Sequence, residues 1–196
     1  MPAGIQRRHR WLVVAFALVI LLLILHRHHV WRENSQDRFI LTAASRYGLH
    51  PALIKAVVWR ESGFDPFAKG TKGELGLMQI MPTTAQEWAR HEHDTLHFES
   101  AMLDPARNTR AGAWYLRKLY GRYPHTDNPL PYALADYNAG RGNVLKWARG
   151  NASTNSAAFV LQIGFPTTRA YVIEVMKRYR QYSETFPPAT QARNHG

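Results

Sequence analysis

The sequence predicts a mainly α-helical domain preceded by one apolar N-terminal helix. Three observations carry this expectation. Apolar residues recur at three- and four-residue spacing through most of the chain beyond residue 36, which is the helical period. Strand signals are weak, and only residues 73–80 could supply a small β-hairpin. The third is the run "WLVVAFALVILLLIL" at 11–25, which is unbroken by any polar residue.

That run forms the first element. As a helix it spans roughly 22 Å, against a hydrocarbon core of ~30 Å. Extension to Trp31 adds His26, Arg27, His28 and His29, which would snorkel, with Trp11 and Trp31 at the two interfaces. A cleaved signal peptide is the rival reading, but "HRHHVWRENS" stands where small cleavage-site residues belong. The expectation is an uncleaved transmembrane anchor at 11–31, with the basic residues 1–10 in the cytoplasm. Residues 32–42 read as a polar linker running into the first helix of the domain.

Helical periodicity then places elements at 36–47, 51–62, 83–90, 109–120, 130–138, 142–148 and 167–182. Turn signals separate them, including "DP" at 65–66 and 104–105, "NAGRGN" at 138–143 and "GNASTNS" at 150–156. The tail 183–196 reads as disordered. At 196 residues, 45% of them hydrophobic, the chain has material for one real core besides the anchor.

Glu61 is the residue in this pattern that asks for an explanation. Pro51 suits a first helical position, and Leu53, Val57 and Glu61 then share one face. A carboxyl on the core-facing stripe is desolvated, so it holds a proton near neutrality and can donate it. The plainer alternative is a helix-end glutamate turned to water.

Other chemistries find less support. The chain has no Cys, hence no thiolate metal site or thiol nucleophile. His91, His93 and His97 in "HEHDTLH" lack the spacing that puts two ligands and a base on one helical face, so no metal is expected. Ser62 follows Glu61 without any nucleophile elbow. The formal charge is +11, and fourteen acids begin only at Glu33. A basic surface favours anionic partners. With no nucleic-acid motif and with export expected, an acidic envelope polymer outranks nucleic acid.

Five segments lie in one order and spacing: "ALIKAVVWRESGFDP", "GLMQIMPTTA", "DPARNTRAGAWYLRKLY", "YALADYNAGRGNVLKW" and "TRAYVIEV". Together, over about 43–179, they resemble the soluble lytic transglycosylase (SLT) domain, with its goose-type lysozyme-like fold. The resemblance implies a catalytic domain at 43–182 and a substrate, peptidoglycan glycan strands. It implies that Glu61 is the sole acid/base, without any cofactor, cleaving the MurNAc–GlcNAc β-1,4 bond without water. Glu61 would protonate the leaving oxygen, then take the proton of the muramyl C6 hydroxyl as a 1,6-anhydro ring closes. One buried acid with an internal nucleophile needs no second carboxylate, whereas hydrolases usually use two.

The resemblance also places the substrate-binding residues. Gln79, eighteen residues after Glu61, would bind the sugar near the cleavage point; read alone, it is an amide in an apolar run that requires partners. Met81 would lie against the substrate. Tyr137 would offer a stacking face and a hydroxyl, and Asn138 is either a substrate contact or a helix C-cap, with the structural role expected to dominate. Tyr171 would point its hydroxyl at Glu61. The implied location is a bacterial inner membrane crossed once, with the catalytic domain in the periplasm.

Three positions depart from the family pattern. Gly70 stands where the family usually has Ser, so either a hydroxyl is missing or the loop needs a left-handed residue there. Lys72 beside Glu61 would lower the acid's pKa. Thr167 replaces a usual Glu, and Asp136, in place of a usual Ala, offers a second carboxylate. A water-using muramidase and a catalytically weak peptidoglycan-binding module are therefore the alternative readings.

Overall fold

A computed structural model describes residues 3–94 and 98–186. The chain forms two compact units, 1–36 and 37–196. The first is a single helix, α1 (Ala3–Asn34). Its apolar side chains from Trp11 onward are exposed rather than packed into protein, and by length and composition it is able to cross a membrane. It is longer than the sequence suggests. The polar stretch after Trp31 is not a free linker, because Glu33 and Asn34 complete the helix. Glu33 lies one turn beyond His29, at 3.9 Å, and Arg32 sits among the last-turn carbonyls, an arrangement that suits a helix end.

The second unit begins with α2 (Asp37–Tyr47) and α3 (Pro51–Ser62). Helix α3 is the centre of the unit: every residue from Pro51 to Val58 is buried. It packs against α2 and against α10 (Pro166–Thr185). Even Lys55 is enclosed, its Nζ 2.7 Å from Asp37 and above the rings of Tyr182 and Phe186. That ion pair and cage offset the cost of burying an ammonium. Helix α3 starts at Pro51 with His50 as cap, its Nδ1 accepting the Ala52 N–H at 3.2 Å. It stops at Gly63, whose φ of 56° is the left-handed cap that costs glycine least.

The remaining helices are α4 (Pro82–Glu92), α5 (Phe98–Met102), α6 (Pro105–Tyr120), α7 (Pro129–Ala139), α8 (Arg141–Trp147) and α9 (Ser156–Gln162). Helix α6 packs on α2, α4 and α7, and α7 also meets α10. The core they enclose includes Ile40, Val57, Met78, Trp88, Leu116, Leu134 and Val172. No strand occurs among the described residues. The possible hairpin reduces to two isolated antiparallel bridges, Lys69 with Leu75 and Leu75 with Ile80.

Several expected boundaries need correction. Helix α6 begins at Pro105 rather than 109, because Asp104 caps it by accepting the Arg107 N–H at 2.8 Å. The turn reading of 150–156 overlooks a 3-10 turn, Gly150–Ser153, and the start of α9, capped by Asn155 at 2.8 Å from the Ala158 N–H. Helix α10 runs three residues past 182, so 183–185 do not belong to a disordered tail. The rest of that tail, from 187, lies outside the described residues, as does His97.

Candidate active site

Glu61 is the penultimate residue of α3, where the buried helix reaches a loop spanning 63–81. The loop is held back onto the helix by Ser62, whose hydroxyl donates to the carbonyls of Val58 at 3.1 Å and Leu77 at 2.8 Å. Ser62 is therefore committed to structure. Asp65 is likewise spent on a local turn, accepting the Phe67 N–H at 2.9 Å.

The loop's deepest part is organised by a residue that periodicity does not single out. Asn108 on α6 is fully buried; its Oδ1 accepts the Met78 N–H, and its Nδ2 donates to the carbonyls of Leu75 and Met102, each at 2.8 Å. One amide thus satisfies three backbone groups that would otherwise be stranded in the core. Gly76 permits this approach. Its φ is 74°, and a Cβ there would collide with the Met102 carbonyl and the Asn108 amide. The only signal for Asn108 in the sequence is a polar residue on the apolar face of a helix.

The Tyr171 hydroxyl, from α10, donates to Glu61 Oε1 at 2.7 Å. Tyr137, from α7, donates to the Met78 carbonyl at 2.7 Å, with its ring 5.5 Å from that of Tyr115. Burial pushes the Glu61 carboxyl up to about 7, against the opposing pull of the Tyr171 hydrogen bond and the Arg60 charge; the charge of Glu74 pushes it further up. Burial and the Glu61 charge hold the hydroxyls of Tyr137 and Tyr171 well above the usual tyrosine range, so both remain donors. Glu61 is nonetheless only partly covered, which leaves a side through which a ligand can reach it. A carboxyl raised to about 7 is partly protonated at neutral pH and can give that proton up, the requirement for a general acid.

Gln79 lies in the same loop with φ 47°, a left-handed conformation unusual for a side-chain-bearing residue. Its Nε2 donates to the carbonyls of Gly76 at 2.9 Å and Ala68 at 3.2 Å. These bonds are the backbone partners that an amide in an apolar run demands. Met81 opens α4 and is 37% exposed, whereas Met78 is fully buried. Asn138 is exposed within α7, accepting the Thr168 hydroxyl at 2.8 Å and so tying α7 to α10. It is not the C-cap, a place that Gly140 holds.

The departures resolve into specific structures. Gly70 is not left-handed; the space its side chain would occupy is filled by Glu74, whose Cγ and Cδ a Cβ would strike. Lys72 is exposed, and the charges acting on Glu61 are Arg60 and Glu74 instead. Asp136 is not a free second carboxylate. It is buried, with Oδ2 accepting from Arg122 at 2.8 Å and from the Tyr123 hydroxyl at 2.7 Å. Thr167 is exposed in the first turn of α10. His91 and His93 are exposed at the end of α4, His91 beside the ring of Trp114.

Comparison with known proteins gives one consistent picture. Residues 38–160 match the family described as the transglycosylase SLT domain. The chain is 41% identical over 105 residues to membrane-bound lytic murein transglycosylase F of Desulfosudis oleivorans, covering 52% of this chain and 21% of that protein. It is 35% identical over 123 residues to the soluble lytic murein transglycosylase of Escherichia coli, covering 62% of this chain and 19% of that one. Its fold is similar to that of an inactive mutant of lytic transglycosylase Slt from Pseudomonas aeruginosa, with TM-score 0.70, 30% identity, and 80% and 25% of the two chains covered. A complex of the 70-kDa soluble lytic transglycosylase with bulgecin A matches at TM-score 0.67. The chain thus spans no more than a quarter of the length of these relatives.

Proposed function

This chain belongs to the transglycosylase SLT domain family, and from that premise we propose that it is a lytic transglycosylase of peptidoglycan held on a membrane by α1. The observation that carries the reading is the state of Glu61: one carboxyl, raised to about 7 by burial, held by the Tyr171 hydroxyl at the open end of a buried helix. In the proposed reaction Glu61 protonates the glycosidic oxygen between MurNAc and GlcNAc. The resulting carboxylate then takes the proton of the muramyl C6 hydroxyl, whose oxygen closes the 1,6-anhydro ring. The proton lost in the first step is recovered in the second, so neither water nor cofactor is consumed.

The surroundings support an internal nucleophile over an activated water. Asp65 is held in its turn, Asp136 in a buried ion pair, and Glu74 against a backbone N–H. We assign Gln79, Met81, Tyr137 and Asn138 to the glycan-binding wall, with Tyr171 as the group that orients Glu61. Both Gln79 and Asn138 combine that role with the structural bonds already described. The exposed apolar face of α1, and relatives described as membrane-bound, support the anchor. The N-terminal arginines favour an orientation with residues 1–10 in the cytoplasm and the catalytic domain in the periplasm.

Mass spectra of murein digested by the purified chain test the proposal. Anhydromuramyl ends are the expected product. Reducing ends alone would replace this reading by a muramidase, and intact murein would leave a glycan-binding module.

A further inference from the structure

We propose that Arg60 is a positioning residue of this site: clamped by Glu174 of α10, its guanidinium braces the Tyr171 ring and so keeps the Tyr171 hydroxyl on Glu61. The proposal rests on the reading of Glu61 as the acid and deepens it. The sequence gives neither Arg60 nor Glu174 a role. The structure joins them to the acid through three contacts. Glu174 Oε2 lies 2.8 Å from Arg60 Nε. The Arg60 guanidinium lies over the Tyr171 ring, 5.5 Å from its centre. The Tyr171 hydroxyl donates to Glu61 Oε1 at 2.7 Å.

The arrangement follows from where these residues stand on two helices. Adjacent side chains on a helix point about 100° apart, so Arg60 leaves α3 in a different direction from Glu61 and meets α10 at its solvent edge. Tyr171 and Glu174 are three residues apart on α10 and are therefore neighbours on its surface. One guanidinium spans that pair. The next turn of α10 grips the residue before Arg60: the Arg178 guanidinium lies 4.3 Å over the Trp59 ring. The pairs run in opposite directions along the two helices, from Lys55 with Tyr182 through Trp59 with Arg178 to Glu61 with Tyr171. This seam sets the antiparallel register that brings the hydroxyl to the acid.

An ion pair at a solvent edge contributes little by itself, and the Arg60 and Glu174 side chains are 37% and 48% exposed. The importance of this pair is positional. The Tyr171 ring is buried, but its hydroxyl must stay aligned on a carboxyl at the open end of the site. A flat, cationic guanidinium is attracted to the ring face, and Glu174 keeps it from swinging out into water. The Arg60 charge also acts on Glu61 directly. Glu174→Ala separates the two effects, because it frees the Arg60 side chain and leaves its charge.

The bond can be read without any cleavage. In the full chain, solubilised in detergent and carrying carbon-13 tyrosine, the Tyr171 hydroxyl proton is identified by its absence from Y171F. Its exchange with water is then followed by NMR. Loss of the brace should quicken exchange by about two- to fivefold in both Arg60→Met and Glu174→Ala, the range of a cation–ring contact near solvent. Arg60→Lys, a cation without the flat fork, should fall between R60M and the wild type. On murein, R60M should lower kcat by a similar factor with KM unchanged, and it should cost nothing further in a Y171F background. Glu174 is exposed, so E174A keeps the proposal testable should R60M fail to fold. Wild-type exchange in R60M or E174A overturns the proposal, whatever the protein does to murein. A kcat loss that persists in full in R60M/Y171F overturns it too, as does a change in KM alone, which would make Arg60 a glycan contact. A wild type without anhydromuramyl products, but with quickened exchange in the variants, refutes the transglycosylase reading and leaves the brace standing.

Discussion

The Tyr171 hydroxyl meets Glu61 Oε1 at 2.7 Å, although the two residues stand 110 positions apart in the chain. Because that bond favours the ionised carboxyl, it works against burial and keeps the acid from holding its proton too tightly. Tyr171→Phe should therefore raise the Glu61 titration above about 7 and free the carboxyl to rotate. The alkaline limb of the cleavage rate should move to higher pH, while the maximal rate falls by roughly tenfold, the scale of a hydrogen bond to a charged group. A pH–rate profile of purified Y171F measures both effects. An unmoved limb would show that the bond does not govern the acid.

Glu61→Gln should remove cleavage, by roughly 10²-fold or more, since an amide cannot donate and recover a proton. The same variant should be more stable than the wild type at high pH. Between pH 4.5 and about 7 the unfolded chain releases the Glu61 proton while the folded chain keeps it. Stability consequently falls as pH rises through this window. The full cost, on the order of 3 kcal/mol, is present above the upper limit and absent below the lower one. Thermal melts at pH 4 and pH 8 should show E61Q matching the wild type at the former and exceeding it at the latter. Equal stability at pH 8 would mean that Glu61 is not held in a desolvated place.

Helix α3 and its acid were legible in the sequence because the helical period and Pro51 agree there. The pairing of Tyr171 with Glu61 came only from resemblance, since a tyrosine at a core position has no local signature. The partners of Asn108 and the Glu74 seat were not legible. Each depends on atoms brought together by tertiary folding, and a hydrogen bond across 30 positions leaves no periodic trace. The short helix α9 was hidden because its Asn155 cap lies in a polar run that also reads as a turn.

Asn108→Ala should destabilise the domain by roughly 2–4 kcal/mol, because three buried backbone groups lose their partners together. Activity should fall further than folding does under conditions where the variant is still native, since the loop bearing Gln79 loses its support. Urea melts and cleavage assays of N108A, run at the same temperature, separate the two. Wild-type stability would disprove the role of Asn108 as organiser of the loop.

Arg122→Met leaves the Asp136 carboxylate buried without its cation, its second oxygen having no hydrogen-bond partner among the described residues. A loss of roughly 3 kcal/mol is expected at pH 7, recovered in large part by Asp136→Asn in the same chain. The single variant Asp136→Asn should still yield anhydromuramyl ends. If D136N abolishes cleavage while its melting temperature is unchanged, Asp136 belongs to the chemistry and the single-acid mechanism is wrong.

The boundary between the two units dictates how the anchor should be tested. Helix α1 continues to Asn34 and the second unit begins at Asp37, so a cut at 31 leaves a frayed helical stub. Deleting 1–36 should release the second unit from the membrane fraction into the soluble one. The first helix that remains, α2, keeps Asp37 in its opening turn, where the carboxylate both suits the helix dipole and pairs with Lys55. Its folding should therefore survive the cut, and isolated murein should be cleaved at a rate within about twofold of the full chain, because no residue proposed for the site precedes Glu61. Deletion to 38 removes Asp37 and should instead cost stability, leaving the buried Lys55 without the Asp37 carboxylate. Fractionation, melting and murein release of the two truncations, beside N-terminal sequencing of the mature protein, decide the matter. A mature chain that begins beyond Leu25 would convert the anchor into a signal peptide, and a 1–36 deletion that stays with the membrane would place the attachment elsewhere in the second unit.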